Sequence, residues 1–173
     1  GIPNTNHIVR SIFDEVPNCE EFVNRNKKRP VNPNPDGFLQ DAVRFCYKVY
    51  AYTDMILNNE DNDGLICIDA DSVFYKPIDI DWIKKHIHRD DCMMTYLGRP
   101  NYSECGFLYF NKLHPLTKEF AMEMQDMYNH DLIYEEKEQH DSYIWDVVRK
   151  RFEARGVKNH NIGDDKTGHV QAR

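Results

Sequence analysis

The sequence predicts an α/β fold: one layered domain in which helices flank a mixed, mostly parallel central sheet. Three observations point there. Residues 65–69, LICID, are a short apolar run that stops on an acid, as a strand covered on both faces would be. Residues 38–58 and 140–156 carry apolar side chains at three- and four-residue spacing, the period of an amphipathic helix. Two further apolar segments, CMMTYL (92–97) and CGFLYFN (105–111), read as strands and alternate with helical stretches.

Taken in order, HIVRSIF is a short apolar element and EEFVNRNKK a charged helix. RPVNPNPDG (29–37) carries three prolines, which deny it regular structure. The helix over 38–58 repeats Phe38, Ala42, Phe45, Val49, Tyr52 and Ile56 on one face. Asp41, Arg44 and Lys48 share another face, where they form either a solvated i,i+3 ion pair or a cation aimed at an anionic ligand. NNEDNDG is a polar turn, DIDWIKKHIH a short helix starting near Asp79, and LTKEFAMEMQDMYN (116–129) a longer one. Gly156 suits a helix C-cap, and the polar tail after it has room for one short strand. Trp145, at helical spacing, reads as core.

Lys and Arg number 22 against 29 Asp and Glu, a net charge of −7, which argues against nucleic acid or an anionic membrane as the main partner. No apolar run reaches the length of a membrane span. Five cysteines without a C-x-x-C pair, three of them (Cys46, Cys67, Cys92) inside apolar segments, suit a reducing, cytoplasmic setting and free thiols. The expected organisation is one domain over residues 1–173, excised from a larger protein that carries further domains.

Asp69 and Asp71 stand at the carboxyl end of the apolar strand, where open α/β sheets gather their ligands. One residue between them turns both carboxylates the same way. Two acids so close repel unless a cation lies between them, and Mg2+ or Mn2+ takes oxygen ligands while leaving sites for substrate phosphates. Two enzyme classes place D-x-D after an apolar strand. The haloacid-dehalogenase-like phosphohydrolases use D-x-D-x-T/V with the first Asp as nucleophile, and DADSV fits that form. Their motif normally opens the domain, whereas here a long helix and some 64 residues precede it.

FLQDAVRFCYKVYAYTDMILNN…GLICIDADSVFYKPI, followed by ECGFLYFN and QHDSYIWD, resembles the GT-A nucleotide-sugar glycosyltransferases over residues 38–170. Within them it looks most like the N-terminal domain of the large chlorella-virus glycosyltransferase and its bacterial and phage relatives. The resemblance implies a GT-A-like fold and a hexosyl transfer from a nucleotide-diphosphate donor, a UDP-sugar, to a glycan or other hydroxyl acceptor. It also implies cytoplasmic work, in a host's cytoplasm if the chain is viral. The strand that should open the fold and grip the base has only HIVRSIF to fill it.

The resemblance assigns metal binding to Asp69 and Asp71, with a histidine from a C-terminal loop completing the site. His169, in KTGHV, is the histidine preferred; His160, which opens H-x-x-G-x-x-K, is the alternative. Lys166 and Arg44 are the cations for the donor diphosphate, beside Asp69. The sugar departs through an oxocarbenium-like state, so a nearby carboxylate is expected. Asp141, at a helix start, is the first candidate for the catalytic acid or base and Glu104 the second. Tyr102, Trp145 and Tyr143 can form a wall for a sugar ring, although an aromatic at helical spacing, as Trp145 is, is more often core. Inversion and retention both stay open, and so does a catalytically inactive nucleotide-sugar-binding domain.

Overall fold

The computed structural model describes residues 8–30 and 35–164. Two short helices open it, α1 (Ile12–Glu15) and α2 (Pro17–Asn26), the second started by a proline whose missing N–H is no loss at that position. HIVRSIF supplies no strand among the described residues, and its last two residues, Ile12 and Phe13, open α1. A 3-10 turn (Pro35–Gln40) leads to α3 (Ala42–Asn58). The helix predicted from residue 38 thus begins four residues later. Asp41 caps it by accepting the Arg44 backbone N–H, so these two residues meet through a cap and not through a side-chain ion pair.

The sheet holds β1 (Gly64–Ile68), β2 (Met94–Leu97), β3 (Glu104–Asn111) and β4 (His160–Asn161), in the order β1-β3-β2-β4. Both pairings of β3 are antiparallel, and only β2 with β4 is parallel. The sheet is mixed, as expected, but the prediction of mostly parallel strands does not hold among the described residues. LICID is likewise an edge strand among the described residues, and not the strand covered on both faces that its apolar run predicts. Leu65 and Cys67 pack towards the helices, whereas Ile66 and Ile68 point to the other face and stay exposed. An unbroken apolar run hides that alternation, because both faces of the strand are lined by hydrophobes.

Helices α3, α5 (Thr117–Asn129) and α6 (Asp141–Ala154) cover the inner face of the sheet. Their shared core includes Tyr52, Phe110, Phe120, Trp145 and Phe152, and Trp145 is fully buried as predicted. Burying each such aromatic contributes about 1.5–3 kcal/mol. The short helix α4 (Ile80–His86), capped by Asp79, crosses the outer face. Gly156 ends α6 at φ 89°, with Val157 N–H reaching Phe152 O and Gly156 N–H reaching Glu153 O, the paired bonds of a Schellman cap. All five cysteines are free. No helix among the described residues is long and apolar enough to cross a membrane.

Candidate functional site

Strand alternation sorts the predicted residues by face. Asp69 follows Ile68, so it turns to the helical side, where its Oδ1 lies 2.8 Å from Lys48 Nζ on α3. The same ammonium lies 2.8 Å from Asp141 Oδ2 at the first residue of α6. Lys48 thereby joins two acids that stand 72 residues apart in the chain. Arg44, one turn earlier, is exposed; its guanidinium lies 5.6 Å from the Phe45 ring and makes no ion pair with either acid among the described residues. Of the two cations weighed on this helix face, Lys48 and not Arg44 reaches the site.

Burial by itself would lower the Lys48 pKa. The Asp141 charge and hydrogen bond, with that of Asp69, outweigh it and hold the ammonium above its ordinary value. Asp141 is buried and both of its oxygens are engaged, Oδ1 by the Ser142 N–H and Oδ2 by Lys48. Its present role is to hold the lysine.

Glu104 lies on the same face of β3. Its Oε1 accepts the Gly106 N–H at 2.8 Å and its Oε2 meets Arg99 at 2.6 Å. A Cβ placed on Gly106 would fall 3.0 Å from Asp69 Oδ2 and 3.0 Å from Glu104 Oε1. The two carboxylates therefore flank a space that only glycine leaves open. Asp71 sits beyond β1 in an exposed turn, which the Ser72 N–H closes on Asp69 O. Among the described residues, no three or more His, Cys, Asp or Glu side chains converge closely enough to hold a metal ion. Asp69 keeps Oδ2 towards the gap over Gly106 and Asp71 keeps an exposed carboxylate, oxygens of the hard kind that divalent cations take. Lys166 and His169 lie outside the described residues. His160 pairs with Thr95, which shares the outer face with Ile66 and Tyr109, and its Nδ1 lies 3.4 Å from Thr95 Oγ1. It therefore faces away from Asp69.

The loop GRPNYSE, between β2 and β3, carries Glu104 and is fastened at two places, to α6 and to the segment just before it. Ser103 gives its N–H and hydroxyl to the buried Asp146 at 3.1 and 2.6 Å, and Arg149 holds Asp146 from the other side. Tyr102 gives its hydroxyl to Glu138 at 2.7 Å, and that bond, with burial second, raises the phenol pKa to about 12. His140 also binds Glu138, at 3.1 Å, with Tyr102 edge-on to its ring. Burial pushes the Glu138 carboxyl up, but these two bonds dominate and hold it below its usual range. Tyr102 and Tyr143 stand 6.1 Å apart beside Asp141, where a sugar wall was expected, while Trp145 is core. Arg99 and Glu138 have no sequence signal: they lie in loops without periodicity, and only the fold brings them to Glu104 and Tyr102.

His88 has both ring nitrogens engaged, with Tyr109 at 2.7 Å and Asp90 at 2.9 Å, and it belongs to no metal cluster among the described residues. Comparisons with protein-family models, with curated proteins and with solved structures find no match.

Proposed function

We propose that the chain is a divalent-metal-dependent glycosyltransferase of the GT-A type, moving a hexosyl group from a nucleotide-diphosphate donor to a hydroxyl acceptor. The observation that carries this reading is the Lys48 bridge: the acid ending the apolar strand and the acid starting the last long helix share one ammonium. Acids chosen independently from the sequence thus meet at the carboxyl end of one strand, the place where an α/β sheet collects substrate.

In this reading Asp69 and Asp71 hold Mn2+ or Mg2+ against the donor diphosphate. The cation, when bound, offsets the negative charge that grows on the leaving group. Lys48 fixes Asp69 so that Oδ2 is presented to the gap over Gly106. Glu104, partly exposed and held by Arg99, is the carboxylate placed to take a proton from the acceptor hydroxyl. Asp141 orients Lys48. Tyr102 and Tyr143 border the acceptor side, and from the C-terminal segment Lys166 is assigned to the donor diphosphate and His169 to the metal. Further domains of a longer protein, and the cytoplasm as its place of work, belong to the same reading.

The test is release of nucleoside diphosphate from UDP-sugars with Mn2+, followed by transfer to a panel of glycan acceptors. Turnover that needs metal and disappears in Asp69→Asn supports the reading. Donor binding without turnover, in every metal and acceptor tried, favours an inactive binding domain instead.

A further inference from the structure

Strand β1 ends the sheet, and its outer edge is open among the described residues. At its two ends Lys112 gives its N–H to Asp63 O and Asp69 gives its N–H to Gly106 O, so the odd-numbered residues of β1 turn their backbone groups to β3. Gly64, Ile66 and Ile68 turn theirs the other way, and these N–H and C=O groups have no hydrogen-bond partner among the described residues. The side chains of Ile66 and Ile68 continue this edge into an apolar face. They are 37% and 44% exposed, and a cavity of about 710 Å³ beside Ile66 is lined by Phe74, Trp82 and Phe107. Edge strands are commonly guarded by a lysine, a proline, a bulge or an inward charge. GLICI carries none of these, and its register with β3 is unbroken.

A row of backbone donors and acceptors along an apolar strand is complementary to another extended strand. The charges at its ends say which kind. Asp61 and Asp63 precede the edge, and Asp69 and Asp71 follow it. A second copy of this edge, paired about a two-fold axis, sets like charges face to face. The register centred on Ile66 puts Asp63 opposite Asp69 of the other copy, twice. Registers centred on Leu65 and on Cys67 put Asp61 opposite Asp69 and Asp63 opposite Asp71. Like charges directly opposite are destabilising, so the acids disfavour self-pairing. Lys48 already serves Asp69, but Asp61, Asp63 and Asp71 have no ion pair among the described residues. The same acids therefore favour a strand with cationic ends.

We propose that the outer edge of β1 takes up an extended segment of a partner polypeptide, apolar at alternate positions and basic at its ends, as a further strand of the sheet. Its backbone pairs with Gly64, Ile66 and Ile68, its apolar side chains cover the two isoleucines, and its basic ends meet the acids that flank the edge. The proposal concerns the backbone edge of β1 and does not depend on the glycosyltransferase reading.

The test adds one labelled synthetic peptide, Lys-Thr-Val-Thr-Val-Thr-Lys with blocked ends, to the full chain and reads anisotropy and amide hydrogen exchange, beside sedimentation velocity of the protein alone. Expected is saturable binding that slows exchange of the Gly64, Ile66 and Ile68 amides by about tenfold or more. The same peptide with glutamate at both ends should bind about tenfold more weakly. N-methylation of its valines and threonines should abolish binding, a control that leaves the protein untouched. Ile66→Pro removes the central outward N–H and no bond to β3, so it should keep the melting temperature and lose about tenfold in affinity. Absence of saturable binding, binding without protection of those three amides, or equal binding of the glutamate-ended or N-methylated peptide overturns the proposal. So does a dimer of the native protein that Ile66→Pro dissociates, since the edge would then belong to a second copy of the chain.

Discussion

Lys48 and Asp141 form an ion pair at 2.8 Å in which the carboxylate side chain is almost wholly buried and the ammonium about two-thirds so. Such a pair is strongly felt when half of it is removed, because the remaining charge is left without a partner. Lys48→Met should therefore destabilise the fold by about 3 kcal/mol, the low end of the range for buried pairs because the lysine is part exposed. Adding Asp141→Asn should recover much of that loss. Chemical denaturation of the two variants measures both numbers, and a Lys48→Met protein as stable as the native one would contradict the geometry.

The same pair sets a pH dependence. The folded pKa of Lys48 is raised above its ordinary 10.5, so its contribution is complete below that value. It is lost only as pH rises through the folded pKa, further into alkali. Lys48 should thus add no slope to stability between neutral pH and pH 9, and melting temperatures in that window should be equal in slope for native protein and Lys48→Met.

Gly106→Ala tests the gap between Asp69 and Glu104. A methyl 3.0 Å from Asp69 Oδ2 and from Glu104 Oε1 crowds the free oxygen of Asp69 and the Glu104 oxygen that accepts the Gly106 N–H. The fold should lose no more than about 1–2 kcal/mol, while metal-dependent donor affinity falls about tenfold or more. Equal affinity in native protein and Gly106→Ala would remove this gap from the site.

Asp146→Ala tests the anchor of the GRPNYSE loop. It deprives Ser103 of two bonds and leaves Arg149 with Glu153 as its remaining carboxylate. A loss of about 3 kcal/mol is expected. Tyr128→Phe is the opposite case, since its buried hydroxyl has no hydrogen-bond partner. Removing it should change stability by less than about 1 kcal/mol in either direction.

Substitution separates the two histidines. His169→Ala should weaken Mn2+ and donor binding together, about tenfold to a hundredfold. His160→Ala should leave donor binding unchanged, because its ring lies beside Thr95 on the outer face, where burial pushes its pKa down. Calorimetry on the two variants decides between them; a crippled His160→Ala beside an unaffected His169→Ala would reverse the assignment.

The long helices were legible because their apolar stripes face one core, and the two strands after β1 because short apolar runs bounded by polar turns have few other solutions. The position of β1 was not. Ile66 and Ile68 look like core residues in the chain, yet they point to the outer face, and nothing local tells an edge strand from a central one. Asp69 and Asp141 could be chosen by residue type and by place in their elements. Lys48 over Arg44 could not be decided, because one helical turn separates them and only the packing of α3 against α6 selects which reaches both acids. Arg99 and Glu138 were invisible for a plainer reason: loops have no period to read.

The most direct test of the functional account is calorimetric titration of UDP into the full chain with and without Mn2+, repeated on Asp69→Asn. The account predicts binding that requires the metal in the native protein and falls by about a hundredfold or more in the variant, with the fold intact by melting temperature. UDP binding of equal strength in native protein and Asp69→Asn, or no binding of UDP or other nucleoside diphosphates with the metal present, would contradict it.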